Sequence, residues 1–199
     1  MRQLLMPNKL VDAGMADRPC EEEERRRYYA LPSAVTPLDQ PEKMNHALRI
    51  LVLADTHDHL PEGLDALAYG TDEIWHLGDV CAPALLRRLR EIGPPVTIVL
   101  GNCDAEEWPL VVDLERNGVR FRLIHIPPLQ VPTDTDVVLH GHTHVPRDEC
   151  RGTVRFLNPG CVTRPNRGAP ASVAHLEIAA DGSLSWNLTR LRERARRAN

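Results

Sequence analysis

The chain has no CxxC pair among its five cysteines, Cys20, Cys81, Cys103, Cys150 and Cys161, and five is an odd number. A disulfide scaffold and a zinc ribbon are set aside on that ground, and a reducing cytoplasm is the compartment that fits. No stretch reaches the roughly 18 apolar residues of a membrane span. The opening Met-Arg-Gln-Leu-Leu-Met leads into neither a hydrophobic region nor a small-residue cleavage site, so no signal peptide is read. Positive charge is not in excess either. Lys and Arg number 24 against 28 Asp and Glu, a formal net charge of -4, which argues against general binding to nucleic acid or anionic membranes. A hydrophobic content of 42% over 199 residues suits one well-buried domain with length to spare.

Composition changes near Met44. Before it, Pro7, Pro19, Pro32, Pro37 and Pro41 punctuate the chain, and the acidic run Glu21–Glu24 is followed by Arg25–Arg27. No period is sustained there, so residues 1–47 read as a disordered or loosely attached extension. A short helix around Glu21 to Leu31 is compatible with the acidic-then-basic order, and Met44 offers a second candidate start. From residue 48 to 190 the rhythm is that of a folded domain, and residues 191–199 read as a basic tail.

Within that domain strands and helices alternate. Apolar runs read as strands at Arg49–Ala54, Glu73–Leu77, Val96–Leu100, Val119–Ile124 and Asp136–Leu139. Leu60–Ala68 and Pro83–Ile92 have helical spacing, with Pro83 in a first turn and Gly70 and Gly93 just past the ends. Val173–Ile178 and Leu184–Leu188 flank Ala180-Asp181-Gly182 as a β-hairpin. Parallel βαβ units followed by antiparallel strands predict an α/β fold of two packed mixed sheets with helices outside.

At the ends of the strands stand Asp55 and His57, Asp79, Asn102, His125, and His142 with His144. Strand ends on one sheet edge converge in space however distant they are in sequence. Asp55-Thr56-His57 places two side chains two residues apart, which point the same way if extended geometry persists, and His142-Thr143-His144 repeats the device. Carboxylate and imidazole donors suit Mn, Fe, Zn, Co or Ni better than Ca or Mg. The set exceeds the needs of one ion, and a central carboxylate such as Asp79 can bridge two. Ions about 3.5–4 Å apart can activate a water and stabilise a leaving oxygen of phosphate. Singly, each residue has a plainer reading: His57 as a solvated or structural histidine, Asp55 or Asp79 as a helix cap.

Asp55-Thr56-His57, Gly78-Asp79, Gly101-Asn102-Cys103-Asp104 and Gly141-His142-Thr143-His144 resemble the motifs of the calcineurin-like metallophosphoesterase superfamily. Asn158-Pro159-Gly160-Cys161 with Thr163-Arg164-Pro165 resembles its small prokaryotic phosphodiesterase branch, which is related to the retromer subunit of the same fold. The resemblance covers roughly residues 48 to 188. It implies a four-layer αββα sandwich and two divalent ions, manganese first, with iron, nickel, cobalt or zinc as alternatives. One ion would be held by Asp55, His57, Asp79 and His144, the other by Asp79, Asn102, His125 and His142. A metal-bridging hydroxide would attack phosphorus in line, with Asp79 and Asn102 central to catalysis and Cys103 and Asp104 adjacent.

Two departures stand out. Many relatives carry His after the asparagine; Cys103 here, as in many members of the small branch, is a poor acid for an alkoxide and favours diesters and good leaving groups. Its plainer reading is a small buried residue. His125 is followed by Ile126-Pro127-Pro128 and Val131-Pro132 rather than His-Gly and a helix, which predicts a more open wall beside His125. Asp58 and His59 read as hydrogen-bonding a ligand or as solvated, Asp104 as orienting a ligand histidine or capping a turn, His76 and His140 as packing. Arg164 and Arg167 are candidates to meet a substrate phosphate, or solvated loop residues. The expected activity is a cytoplasmic phosphodiesterase acting on a small diester, with no strong nucleic-acid binding, no membrane, and homo-oligomers compatible. A non-catalytic interaction scaffold and a phosphomonoesterase are the alternatives.

Overall fold

The structure, a computed structural model, describes residues 46–192. The extension expected over residues 1–47, including the helix around Glu21, lies outside the described residues except for its last two positions. Most of the basic tail, residues 193–199, lies outside them as well.

Among the described residues ten strands form two five-stranded sheets. The first, in the order β10-β9-β1-β2-β3, contains β1 (Leu48–Leu53), β2 (Glu73–His76), β3 (Val96–Ile98), β9 (Ser172–Ile178) and β10 (Leu184–Arg190). Here β1, β2 and β3 run parallel, and the β9–β10 hairpin adds antiparallel to the other side of β1. The second, in the order β4-β5-β6-β8-β7, contains β4 (Val111–Arg116), β5 (Val119–Ile124), β6 (Val137–His140), β7 (Arg147–Arg151) and β8 (Val154–Asn158). Its centre, β5-β6-β8, is parallel, and β4 and β7 pair antiparallel on the two edges. Two mixed sheets with flanking helices is the architecture expected.

Alternation along β1 explains how the layers stack. Leu48, Ile50 and Val52 face a core shared with Phe121 and Leu123 of β5, Val137 and Leu139 of β6, and Leu157 of β8. Leu51 and Leu53 point the other way, onto α1 (Leu64–Leu67) and Leu89 of α2 (Pro83–Glu91). Both faces of β1 are therefore buried, as befits a strand parallel to its neighbour. Fully burying such a side chain contributes about 1.5–3 kcal/mol. Across the interface Trp75 and Phe121 meet edge-on, ring centroids 5.3 Å apart. Glu73 of the first sheet takes a forked ion pair from Arg116 of the second, at 2.6 and 3.2 Å.

Both helices among the described residues occur in the connections β1–β2 and β2–β3. The other side of the second sheet carries Phe156 in a smaller cluster, with Arg147 and Arg151 stacked on its ring at 4.9 and 5.2 Å. The helix expected over Leu60–Ala68 is shorter, Leu64–Leu67, because Glu62 and Gly63 occupy a turn and Gly63 sits at φ +72° ahead of it. Helix α2 starts at Pro83 as expected and ends where Gly93 takes φ +116°. No helix among the described residues is long and apolar enough to cross a membrane.

Candidate metal centre

The ends of β1 and β2 carry their pairing into the site. Past Leu53, the Asp55 amide donates to the Gly78 carbonyl, the His57 amide to Asp79 and the Asp58 amide to Val80, all at 3.0–3.1 Å. Extended geometry does not persist, however. Asp55, His57, Asp79, His142 and His144 all take positive φ, between 40° and 67°. Side chains converge because each motif turns left-handed, which corrects the expectation that strand alternation aims them. A non-glycine residue held this way costs on the order of 1–3 kcal/mol, and such strain persists only where the surroundings over-determine it. Asp55 and Asp79 do not cap helices: α1 and α2 are preceded by Gly63 and Ala82, without a side-chain cap.

Donor atoms of Asp55, His57, Asp79 and His144 lie within 4.8 Å of one another. His144 Nε2 is 3.2 Å from Asp55 Oδ1 and 3.3 Å from His57 Nε2, and the latter is 3.8 Å from Asp79 Oδ2. His144 Nδ1 lies 2.6 Å from the Arg164 carbonyl. A carbonyl can only accept, so Nδ1 carries the proton and Nε2 presents its lone pair to the cluster. Lone pairs facing a carboxylate need a cation or a proton between them. Without an ion, the Asp55 carboxylate pushes the His144 imidazole up to about 11, so a proton takes that place. His57 is pushed down by burial, which outweighs Asp79 and Asp55.

A second group forms around Asn102 Oδ1, 2.9 Å from His125 Nε2 and 3.0 Å from His142 Nδ1. The His125 Nδ1 sits 2.7 Å from the Leu77 carbonyl, which again leaves Nε2 to face the oxygens. His125 is fully buried and its Nε2 is 3.4 Å from Asp79 Oδ1. Burial works against the charged ring, but Asp79 and Asp55 raise it overall. Asp79 therefore divides its oxygens, Oδ1 toward His125 and Oδ2 toward His57. Burial would raise its own carboxyl, but His125, the Cys103 amide and His57 hold it well below the usual range. The carboxylate and imidazole donors of the first group could hold a divalent cation, and Asp79 is the carboxylate that the two groups have in common.

No helix follows His125; residues 125–136 are irregular up to β6, as its prolines predict. Asn102 and Cys103 are exposed beside the half-buried His142, so the second group opens to solvent while Asp55 and Asp79 stay buried. Arg164 and Arg167 are exposed, and the positive charge of Arg164 is one of the influences that lower His57. Asp58 and His59 are exposed, His59 reaching only the His57 carbonyl. Cys103 is exposed, not the small buried residue of the plainer reading.

Asp104 does something its sequence context did not disclose. It touches no ligand histidine; its carboxylate accepts from the amides of Gly101, Asp79 and Cys81 at 2.8–2.9 Å. One side chain thus ties the turn after β3 to the turn after β2. The buried His76 completes the support. Its Nδ1 accepts from the Gly78 amide at 3.2 Å, and Nε2 meets Thr56 Oγ1 at 3.1 Å, which donates to the Asp79 carbonyl. His140 lies buried between the Gly141 carbonyl and Arg147, outside both donor groups. Asn158, quoted in the motif but assigned no role, donates to the Gly141 carbonyl and Thr143 and accepts from Gly160, bracing the His142 turn.

Residues 48–181 match the calcineurin-like phosphoesterase superfamily domain. Phosphodiesterase YfcE of Escherichia coli K12 is 32% identical over 162 residues, covering 65% of this chain and 88% of that protein. The solved structure of the E. coli phosphoesterase Yfce superposes with a TM-score of 0.57 at 27% identity, covering 73% of this chain and 100% of that one. Vacuolar protein sorting 29 from Cryptosporidium parvum gives a TM-score of 0.58 at 20% identity over 74% of this chain and 100% of its own, a likeness of fold alone.

Proposed function

The chain belongs to the calcineurin-like phosphoesterase superfamily, and from that premise we propose that it is a dinuclear metal-dependent phosphodiesterase acting on a small diester. Asp55, His57, Asp79 and His144 would hold one ion and Asp79, Asn102, His125 and His142 the other. The observation that carries this reading is the division of the Asp79 oxygens between two histidine groups. When bound, two such ions supply Lewis acidity to phosphate and lower the pKa of a coordinated water.

The chain's own residues do the rest. His144 and His125 are locked by the Arg164 and Leu77 carbonyls so that Nε2 faces inward, the orienting arrangement that metal-binding imidazoles need. Buried Asp55 and Asp79 supply negative charge where water is excluded, and the exposed Asn102 side leaves an approach for the ester. The exposed Arg164, whose charge is felt at His57, would neutralise a phosphate oxygen. Without an ion the Cys103 thiol is pushed up to about 12, by partial loss of solvent and then by the Asp79 carboxylate. It offers little acid to a leaving alkoxide, which favours diesters with good leaving groups over monoesters. The catalytic unit would be residues 48–190, with residues 1–47 an attached extension and the cytoplasm its place of work. Manganese is the first ion to try.

The test pairs metal analysis with hydrolysis of an activated aryl phosphodiester and the matching monoester. Manganese-loaded protein should carry two ions per chain and favour the diester. Asp79→Asn should lose ions and at least about 10–100-fold in rate. Bound metal without turnover would turn the reading toward a binding scaffold.

A further inference from the structure

We propose a third cation site beside the centre, built from Cys81 Sγ, Cys103 Sγ and His57 Nδ1 and taking a thiophilic divalent ion such as zinc or cadmium. The three residues each offer a donor atom within 4.8 Å of the other two. Cys81 Sγ stands 3.6 Å from His57 Nδ1. In a tetrahedral zinc site with Zn–S of about 2.3 Å and Zn–N of about 2.0–2.1 Å, neighbouring nitrogen and sulfur are about 3.5–3.6 Å apart. That edge is already in place, without movement of either chain segment.

The two thiols come from different turns, after β2 and after β3. Asp104 holds those turns together through the amides of Gly101, Asp79 and Cys81. Cys81 is half-buried and takes φ +66°, while Cys103 is exposed, so an ion reaches the site from solvent and keeps an open coordination position there. One nitrogen and two sulfurs form a soft donor set, unlike the sulfur-free carboxylate and imidazole donors of the centre beside it. As the metal–sulfur bonds form, each thiol releases its proton to solvent.

The shared residue is His57. Its Nε2 faces Asp79 and His144, whereas Nδ1 faces Cys81. A neutral imidazole has one lone pair, so serving the sulfur site through Nδ1 leaves Nε2 protonated and withdraws it from the centre. The thiophilic ion would thereby act as an inhibitor that displaces the ion held by Asp55, His57, Asp79 and His144. The sulfur site stands on its own geometry; only the displacement rests on the metal centre proposed above.

The experiment is a cadmium titration of the manganese-loaded full chain, carrying Cys20→Ser and Cys150→Ser, followed by the thiolate-to-cadmium charge-transfer absorption. A band saturating at one equivalent is expected, weakened at least about tenfold in affinity by Cys81→Ser and by Cys103→Ser, with release of one manganese. An undiminished band in either variant, or no saturation near one equivalent, overturns the site. Full retention of manganese at saturation overturns the withdrawal of His57. Failure of the protein to hydrolyse diesters would overturn the catalytic reading and leave the cadmium result standing.

Discussion

His125 Nε2 lies 3.4 Å from Asp79 Oδ1, although one residue follows β5 of the second sheet and the other follows β2 of the first. Every contact between the donor groups of β1–β3 and those of β5–β6 has this character. A cation bound there joins two sheets that are otherwise held by apolar packing and by pairs such as Glu73 with Arg116.

Metal removal should accordingly destabilise the fold as well as silence it. At a free-ion concentration of 100 Kd, binding adds about 2.7 kcal/mol, which for a domain of this size is a shift of about 5–10 °C in Tm. Thermal unfolding with manganese and with chelator should show that difference, and His125→Ala should shrink it. An equal Tm under both conditions would exclude a clasp between the sheets.

Gly101→Ala should damage the centre from a position that bears no donor. A Cβ there would stand 2.1 Å from the Asp79 amide nitrogen and 2.2 Å from Asp79 Oδ1. The turn carrying Asp79 must shift, with about 1–3 kcal/mol of overpacking and loss of metal. The control is Gly152→Ala, where nothing lies within 4 Å and φ is +60°; it should cost about 1–2 kcal/mol with metal content unchanged. Metal analysis of the two variants decides the matter.

His76 should make the metal-free protein acid-sensitive. Burial pushes its imidazole from 6.5 down to about 3. Below pH 6.5 the unfolded chain takes up a proton that the folded chain refuses, so this contribution is present above 6.5 and lost as pH falls toward 3. The slope is about 1.36 kcal/mol per pH unit. Between pH 6.5 and 5 the wild type should therefore lose about 1.6 kcal/mol more than His76→Gln in urea unfolding. Parallel losses in the two proteins would assign the sensitivity elsewhere.

Much of this was legible in the sequence because buried parallel strands announce themselves as apolar runs, and donors follow each one. β1, β2, β5 and β6 emerge within a residue or two of their observed ends. β7 does not, since Arg147-Asp148-Glu149-Cys150-Arg151 has no apolar alternation at all. It is an edge strand, defined by pairing with β8 and by arginine stems lying on Phe156. β4 escapes for a different reason: its signal is the turn at Asn117-Gly118, both at positive φ, the hairpin dipeptide that joins it to β5.

The site shows the same division. Donor identities are local and can be read, and so can the open stretch after His125. The left-handed backbone at Asp55, His57, Asp79, His142 and His144 is harder to read, because Asp and His tolerate that region but do not require it. At Asp55, His57, Asp79 and His142 the amides pair with groups of other turns, which the local sequence does not show. Asp104 is invisible on the same ground, since its three amide partners come from segments about 20 residues apart or more, apart from Gly101.

Trp75 and Phe121 touch across the gap between the sheets, and that contact acts as a spacer gauge. Each ring stands four residues ahead of a donor, Trp75 before Asp79 and Phe121 before His125. A change of ring size at either position would therefore reach the donor along its own strand, without touching any atom of the centre.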